Sequence, residues 1–485
     1  MSQEHIDVLI IGAGISGIGA GYYLKKKSPN RTFKILESRK KLGGTWDLFK
    51  YPGIRSDSDM TTMGFRFKPW KGEKVVADGD AILDYLNEVV DENGFRDKIQ
   101  FNSHVMKSSW NSSESRWYVT YQNKNDDKEN SITCNFLYFC VGYYDYENGH
   151  DPHFQGQNTF SGKIVHPQHW PEDLDYKNKN VVVIGSGATA VTLIPSMANE
   201  TKHITMLQRS PTYYMVRPNI DPLGSIFRKF MGKTVSYFVM RWKNIQLQSW
   251  FFKRARKYPD QIKQFLIGVV EEKLDPSYDI AKHFTPSYNP WEQRLCLVPD
   301  GDLFDAINKG KASVVTDHID SFTPDGIKLK SGEELPADII VTATGLKLMV
   351  CSNIEISVDD KIIDLSKAMT FKGMMVSNVP NVVWTFGYTN ASWTLRADLT
   401  AEYTCKILNY MDKHNYSVAT PSPNAEIGED GSWLDFNSGY VTRSVHLFPR
   451  QGDRDPWKNT QNYIKDVFHL RYGKVEDEEL IFNKN

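Results

Sequence analysis

Gly12, Gly14 and Gly17 stand in the spacing G-x-G-x-x-G, directly after the apolar run 8–11 in "DVLIIGAGISGIGAGYYLKKK". The chemistry open to this pattern is capture of a dinucleotide pyrophosphate. The first glycine permits the tight turn, the second lets backbone approach phosphate, and the third lets helix and strand pack closely. Free N–H groups at the helix start, with about half a positive charge, then hold the phosphate oxygens. A second strand-like run, "TFKILES", ends in Glu37, twenty residues past Gly17, where an acid reaches ribose hydroxyls. The pattern recurs in "NVVVIGSGATAVTLIPSMA", where Gly185, Gly187 and Ala190 take the three positions. Here the second strand-like run, "HITMLQRS", ends in Arg209-Ser210 rather than an acid. An arginine pairs with a 2′-phosphate that a carboxylate would repel, so this cradle favours NADPH over NADH. One chain with two such cradles, only the second suited to a 2′-phosphate, points to a flavin at the first and a nicotinamide donor at the second.

Each cradle needs a strand–turn–helix unit on a sheet buried on both faces. The expected class is therefore α/β, with two Rossmann-like dinucleotide-binding domains and a helical insertion. The run "FLYFCVGYY" precedes the second cradle, and "ELPADIIVTATGLKL" resembles it further on. These read as the chain leaving and re-entering the first domain. The expected division is 1–142 plus 335–485 for the FAD domain, discontinuous, and 150–334 for the NADPH domain, with helices at about 223–275. From Leu223 to Tyr258 no acidic residue occurs, while lysines, arginines and aromatics alternate. The plainer reading is a helical subdomain with its apolar face in the core and its lysines in water. The other is an amphipathic surface making peripheral contact with anionic lipid.

A net charge of −1 draws the chain to no nucleic acid. The five cysteines are odd in number and scattered, which suits a reducing compartment. The N-terminus runs straight into a strand-like segment, and no apolar run reaches the roughly 18 residues of a membrane span, so a cytoplasmic location is expected. Disulfide reductases also hold FAD and NADPH, but they carry a redox cysteine pair soon after the first cradle. The corresponding stretch, "KLGGTWDLFKYPGIRSDSD", has none. Electrons on the reduced flavin must then leave by another route, and O2 is the available acceptor.

The connector before the second cradle, "FSGKIVHPQHWP", contains Phe160-x-Gly162-x3-His166-x3-Trp170-Pro171. It resembles the fingerprint of the Baeyer–Villiger monooxygenases. A second pattern of that family is complete in "GGTWDLFKYPGIRSD", at Gly43, Gly44, Trp46, Tyr51, Pro52, Gly53 and Asp57. The resemblance continues through "YNPWEQRLCLVPDGDLF" and "GYTNASWTL" to "PWKNTQNY", nearly the whole chain. It implies that NADPH reduces FAD, that reduced flavin adds O2 at C4a, and that the resulting peroxide anion converts a ketone to an ester or lactone. It implies catalytic roles for Arg294, a fixed cation beside that anion, and for Asp57, which orients it. Flavin contacts implied are Ser16, Glu37, Gly44, Thr45, Trp46, Asp57 and the backbone of Val105. Arg55 and Ser56 are implied to meet NADPH near the flavin. The remaining NADPH contacts are Gly185, Ser186, Gly187, Ala188, Thr189, Ala190 and Val191 of the cradle, with Arg209 and Ser210. Some relatives place a lysine before the catalytic arginine to grip the 2′-phosphate. Gln293 stands there in this chain, so coenzyme preference rests on Arg209 and Ser210.

The stiff connector would lock two domains in one orientation, with His166 acting by hydrogen bonding rather than as a general base. Oxidation of sulfides or thioamides by the protonated peroxide is a companion activity. The alternatives are an enzyme acting mainly on sulfur and nitrogen, and an NADPH oxidase.

Overall fold

The computed structural model describes residues 3–293, 295–429, 433 and 437–484. Two sheets carry the cradles. The strand Glu4–Ile11 pairs in parallel with Phe33–Leu36 on one side and Lys128–Phe139 on the other. Val8, Leu9 and Ile10 are fully buried, as a strand covered on both faces requires. The sheet extends through the antiparallel strands Ser103–Asn111 and Arg116–Asn123. Late segments complete it: Glu355–Val358 joins one side in parallel, and Val382–Trp384 runs beside Lys128–Phe139.

The second sheet is wholly parallel, in the order Ala312–Thr316, His203–Gln208, Asn180–Ile184, Ile339–Thr342, Lys163–Val165. The expected return to the first domain at about residue 335 is therefore corrected. Ile339–Thr342 is fourth of five strands in the second sheet, and only Leu346–Leu348 begins the way back, pairing antiparallel with the outgoing Tyr144–Gly149. An apolar run buried on both faces reads alike for either sheet, so its composition could not choose between them.

The helical insertion is Pro222–Lys257 followed by Pro259–Glu271. The first of these is a hairpin. Gly232 has φ +74 and ψ +166, and the helix breaks there. Ser236 Oγ donates to Gly224 O at 3.4 Å, and a Cβ on Gly224 would lie 3.5 Å from Met240. In one straight helix residues 224 and 236 would be about 18 Å apart, so the chain folds back on itself.

Arg241 anchors the returning arm. It is buried, and one guanidinium nitrogen donates to Thr61 O, Thr62 O and Gly64 O at 2.6–3.2 Å. Asp398 lies 3.6 Å away and is also buried. Burial pushes its carboxyl up to about 6, against the pull of Arg241. A raised acid favours the protonated folded form, so this contribution is complete below about pH 4 and is lost as pH rises through about 6. Asp398→Asn keeps an acceptor for the Arg66 N–H (3.0 Å) without the charge. The stability gap between variant and parent is expected to open from pH ~4 to pH ~7, by on the order of 3 kcal/mol. Thermal melts across that range check it, and a gap independent of pH would refute the assignment.

Candidate functional site

The first cradle sits between Glu4–Ile11 and the helix Ile15–Lys27. A Cβ on Gly17 would lie 1.8 Å from Gly12 O, so the fold itself demands that glycine. Gly14 differs: its backbone is ordinary (φ −77, ψ −172), and a Cβ there would meet only Gly44, at 3.6 Å or beyond. Gly187 is plainer still, with φ −80 and nothing within 4 Å of the place a Cβ would take. The protein does not need glycine at either second position. Each leaves backbone bare at a helix N-terminus, which is what a pyrophosphate needs. Both cradles therefore fit a dinucleotide.

Glu37 is buried at the foot of the first cradle. One carboxylate oxygen accepts from the Ala13 N–H at 2.7 Å and the other from the Arg39 N–H at 2.8 Å. Burial raises its pKa while those backbone donors oppose the rise. Ser103 N–H bonds Glu37 O at 2.8 Å, which pins the strand carrying buried Val105 to the same end of the sheet. Gly44 approaches Gly14 across the cradle, Thr45 shares a short hydrogen bond with the Tyr144 hydroxyl, and Trp46 is half-buried beside them. Ser16 accepts from Trp393 Nε1 at 2.8 Å. Trp393 opens the helix Trp393–His414 and stacks on Tyr143 with ring centroids 5.2 Å apart. No spacing marks this tryptophan in the sequence; only the segment "GYTNASWTL" contains it.

At the second cradle Ala188, Thr189, Ala190 and Val191 form the first turn of the helix Ala188–Met197, and Ala190 is fully buried. Ser186 Oγ donates to Ser210 O at 3.3 Å, tying the loop to the exposed Arg209-Ser210 turn. A Cβ on Gly185 would strike Ala343 O at 2.4 Å, so residues 343–345 wall the cradle. Over that wall lies Arg443, its guanidinium 3.7 Å from the Cβ position of Gly345. Burial and then the charge of Arg209 lower its pKa. A second guanidinium, that of Arg443, thus lies by the cradle wall within electrostatic range of Arg209.

The domains meet along the "YPGIRSD" segment. Gly53 has φ +75, and a Cβ on it would lie 1.8 Å from Ser196 Oγ and 3.2 Å from Thr192 O, both on the second-cradle helix. Tyr51 is pushed up to about 12, chiefly by burial, with the Thr189 hydroxyl opposing and the Asp57 carboxylate adding. Arg55 pairs with Asp302 of the second domain at 2.5 Å. The Ser56 hydroxyl is engaged within its own turn, donating to Ser58 O at 2.7 Å and accepting from the Ser58 N–H at 2.9 Å. Asp57 is exposed. Its neighbour Asp59 is buried and accepts from Gln248 at 2.9 Å, Asn244 at 3.2 Å and the Thr62 N–H at 3.1 Å. Arg294 lies outside the described residues.

The connector braces the ribbon that joins the two sheets. Gln168 Nε2 donates to Asp145 O at 2.8 Å, and His169 Nε2 lies 2.8 Å from Glu147 O. The His166 ring packs on Gly149, where a Cβ would lie 2.0 Å from Cε1. Its Nδ1 accepts from the Gln168 N–H at 3.2 Å, and burial lowers its pKa. The Gln168 N–H on Nδ1 and the packing on Gly149 hold the ring within the connector. All five cysteines are free and buried, and burial raises Cys134 and Cys140 far above the usual thiol range, so neither is a redox centre.

Residues 74–350 match the family of flavin-binding monooxygenase-like proteins, and residues 10–71 match an NAD(P)-binding Rossmann-like domain. The chain is 48% identical over 483 residues to the FAD-containing monooxygenase EthA of Mycobacterium tuberculosis, covering 99% of this chain and 98% of that one. It is 47% identical over 484 residues to the probable FAD-binding monooxygenase AlmA of Acinetobacter baylyi, covering 99% and 97%. The fold matches that of an oxidized steroid monooxygenase bound to NADP, with a TM-score of 0.79 at 20% identity, over 99% of this chain and all of that one.

Proposed function

The chain belongs to the flavin-binding monooxygenase-like family, and from that premise we propose that it is an FAD-containing, NADPH- and O2-dependent enzyme of the Baeyer–Villiger type. It converts ketones to esters or lactones and also oxygenates sulfides or thioamides. The observation that carries the two-cofactor part is the pair of glycines, Gly14 and Gly187, that the protein's own packing does not require. The ketone preference is supported by the complete connector, whose His166, Gln168 and His169 brace the inter-sheet ribbon.

FAD at the first cradle and NADPH at the second supply hydride transfer and activation of O2 when bound. The chain's part is binding, placement and a charged, dry site. The N–H groups that open the helices Ile15–Lys27 and Ala188–Met197 hold the two pyrophosphates. Glu37, already aligned by two backbone donors, offers its remaining lone pairs to a ribose. Tyr51, Gly53 and the Arg55–Asp302 pair seat the first domain's loop on the second domain. The stacked Tyr143–Trp393 pair walls the first cradle with aromatic surface. Arg294 is the permanent cation, and Asp57 orients it.

Purified protein turned over with NADPH, O2 and a panel of ketones and thioethers, with products identified by mass spectrometry, tests this reading. Ester or lactone one oxygen heavier than the ketone is expected; NADPH consumption without any oxygenated product would leave the oxidase alternative.

Arg209 and Arg443 together take the role that Gln293 vacates. Arg209→Ala and Arg443→Ala are each expected to raise KM for NADPH about tenfold, consistent with loss of one charge-assisted phosphate contact. KM for NADH should move by less than about twofold, because NADH has no 2′-phosphate. Equal changes for both coenzymes would remove Arg443 from the site.

A further inference from the structure

The exposed apolar surface of this protein is concentrated in one place. Among the described residues eighteen large apolar side chains are exposed, and twelve of them lie between Ile220 and Tyr258. The plainer reading of that segment, apolar face inward, therefore holds for only half of it. The inward face of the returning arm is Ser236, Tyr237, Met240, Arg241, Asn244 and Ile245. The outward face is also apolar, with Val235, Phe238, Val239 and Trp242 at helical spacing.

The hairpin turns at Gly232, beside the most exposed of these apolar side chains. Phe230 is 79% exposed and Met231 48%, both immediately before the turn at Gly232. Lys229 and Lys233 flank them, both exposed and without an ion pair among the described residues. No acidic residue occurs between Asp221 and Asp260, whereas Lys253, Arg254 and Lys257 add exposed cations further along. No described helix is long and apolar enough to cross a membrane.

We propose that this hairpin is a membrane-docking element: Phe230 and Met231 insert below the headgroups of an anionic bilayer, and Lys229 and Lys233 pair with the lipid phosphates. The shape argues for a bilayer over a protein partner. The two most prominent apolar side chains sit at a single turn, which offers little area for a protein interface but suits insertion among acyl chains. The charge argues the same way. Lysines beside buried apolar side chains extend their stems and place the ammonium at headgroup level, where an anionic surface attracts it. The inner face of the returning arm holds Asp59, two residues past the "YPGIRSD" segment, through Asn244 and Gln248.

The test is flotation of the purified FAD-loaded protein with vesicles of phosphatidylcholine, alone or mixed with phosphatidylglycerol. The parent is expected to float with the mixed vesicles at least tenfold more than with phosphatidylcholine alone. Phe230→Asp with Met231→Asp should lose that binding about tenfold or more, and Lys229→Glu with Lys233→Glu should lose the preference for phosphatidylglycerol. Flavin absorbance and melting temperature serve as controls for folding. Should the aspartate variant fail to fold, Phe230→Cys, labelled with an environment-sensitive fluorophore while the five native cysteines stay buried, places a reporter at the tip whose emission is expected to shift blue on mixed vesicles. No partitioning of the parent, unchanged binding of the aspartate variant or an unmoved reporter would each overturn the proposal. So would a parent that ignores vesicles but changes from oligomer to monomer on the aspartate substitution, which would make the tip a contact between copies.

Discussion

Gly53→Ala is expected to leave a yellow protein whose flavin NADPH reduces at least about 100-fold more slowly. The methyl group would stand 1.8 Å from Ser196 Oγ and 3.2 Å from Thr192 O, at a residue already held at φ +75. The serine hydroxyl could turn aside, but Ser196 Cβ, 2.7 Å away, and the helix carbonyl could not, and an alanine at that φ costs about 1–2 kcal/mol besides. The loop must therefore lift off the helix Ala188–Met197, whose first turn is the second cradle. Both cradles stay intact while the distance between them changes. Hydride transfer is sensitive to such a change, since a misplacement of about 1 Å costs on the order of 100-fold. The measurements are the flavin-to-protein absorbance ratio and the rate of flavin bleaching by NADPH under argon. Ser196→Gly removes the nearest obstacle and should recover part of the rate in the double variant. A single variant bleached at the parent rate would show that the contact at Gly53 does not set the alignment of the domains.

Arg294→Ala separates the two halves of turnover. Its proposed charge acts after reduction, so NADPH should bleach the flavin within about threefold of the parent rate. Oxygenated product should fall by about 100- to 1,000-fold, the usual loss when one preorganised electrostatic partner is removed. NADPH would still be consumed, and the oxygen would appear as hydrogen peroxide. Arg294→Lys restores the charge but not the planar fork, so it should recover only part of the product. Product formation near the parent level in the alanine variant would move the catalytic cation elsewhere. This prediction comes from the "YNPWEQRLC" pattern, whereas that for Gly53 comes from contacts between domains, so one can fail while the other holds.

The parts legible from sequence are those whose physics is local. G-x-G-x-x-G between an apolar run and a helix describes a turn whose conformation depends on six consecutive residues, and both copies form as their spacing indicates. The absence of a cysteine pair beside the first cradle likewise needed no fold to interpret. The chain's own packing decided the rest. Ile339–Thr342 joined the second sheet because register and neighbours, not composition, assign a doubly buried strand. Arg443 comes within electrostatic range of Arg209 across more than two hundred residues, and Gly53 meets Ser196 across more than one hundred. No periodicity encodes either meeting. The basic hairpin shows the division most clearly: its alternation of aromatics and lysines was plain in the sequence, but an amphipathic pattern cannot say which apolar face is covered. That depends on what packs against the helix, and here Arg241 and Asn244 turn one apolar stripe inward and leave the other in solvent.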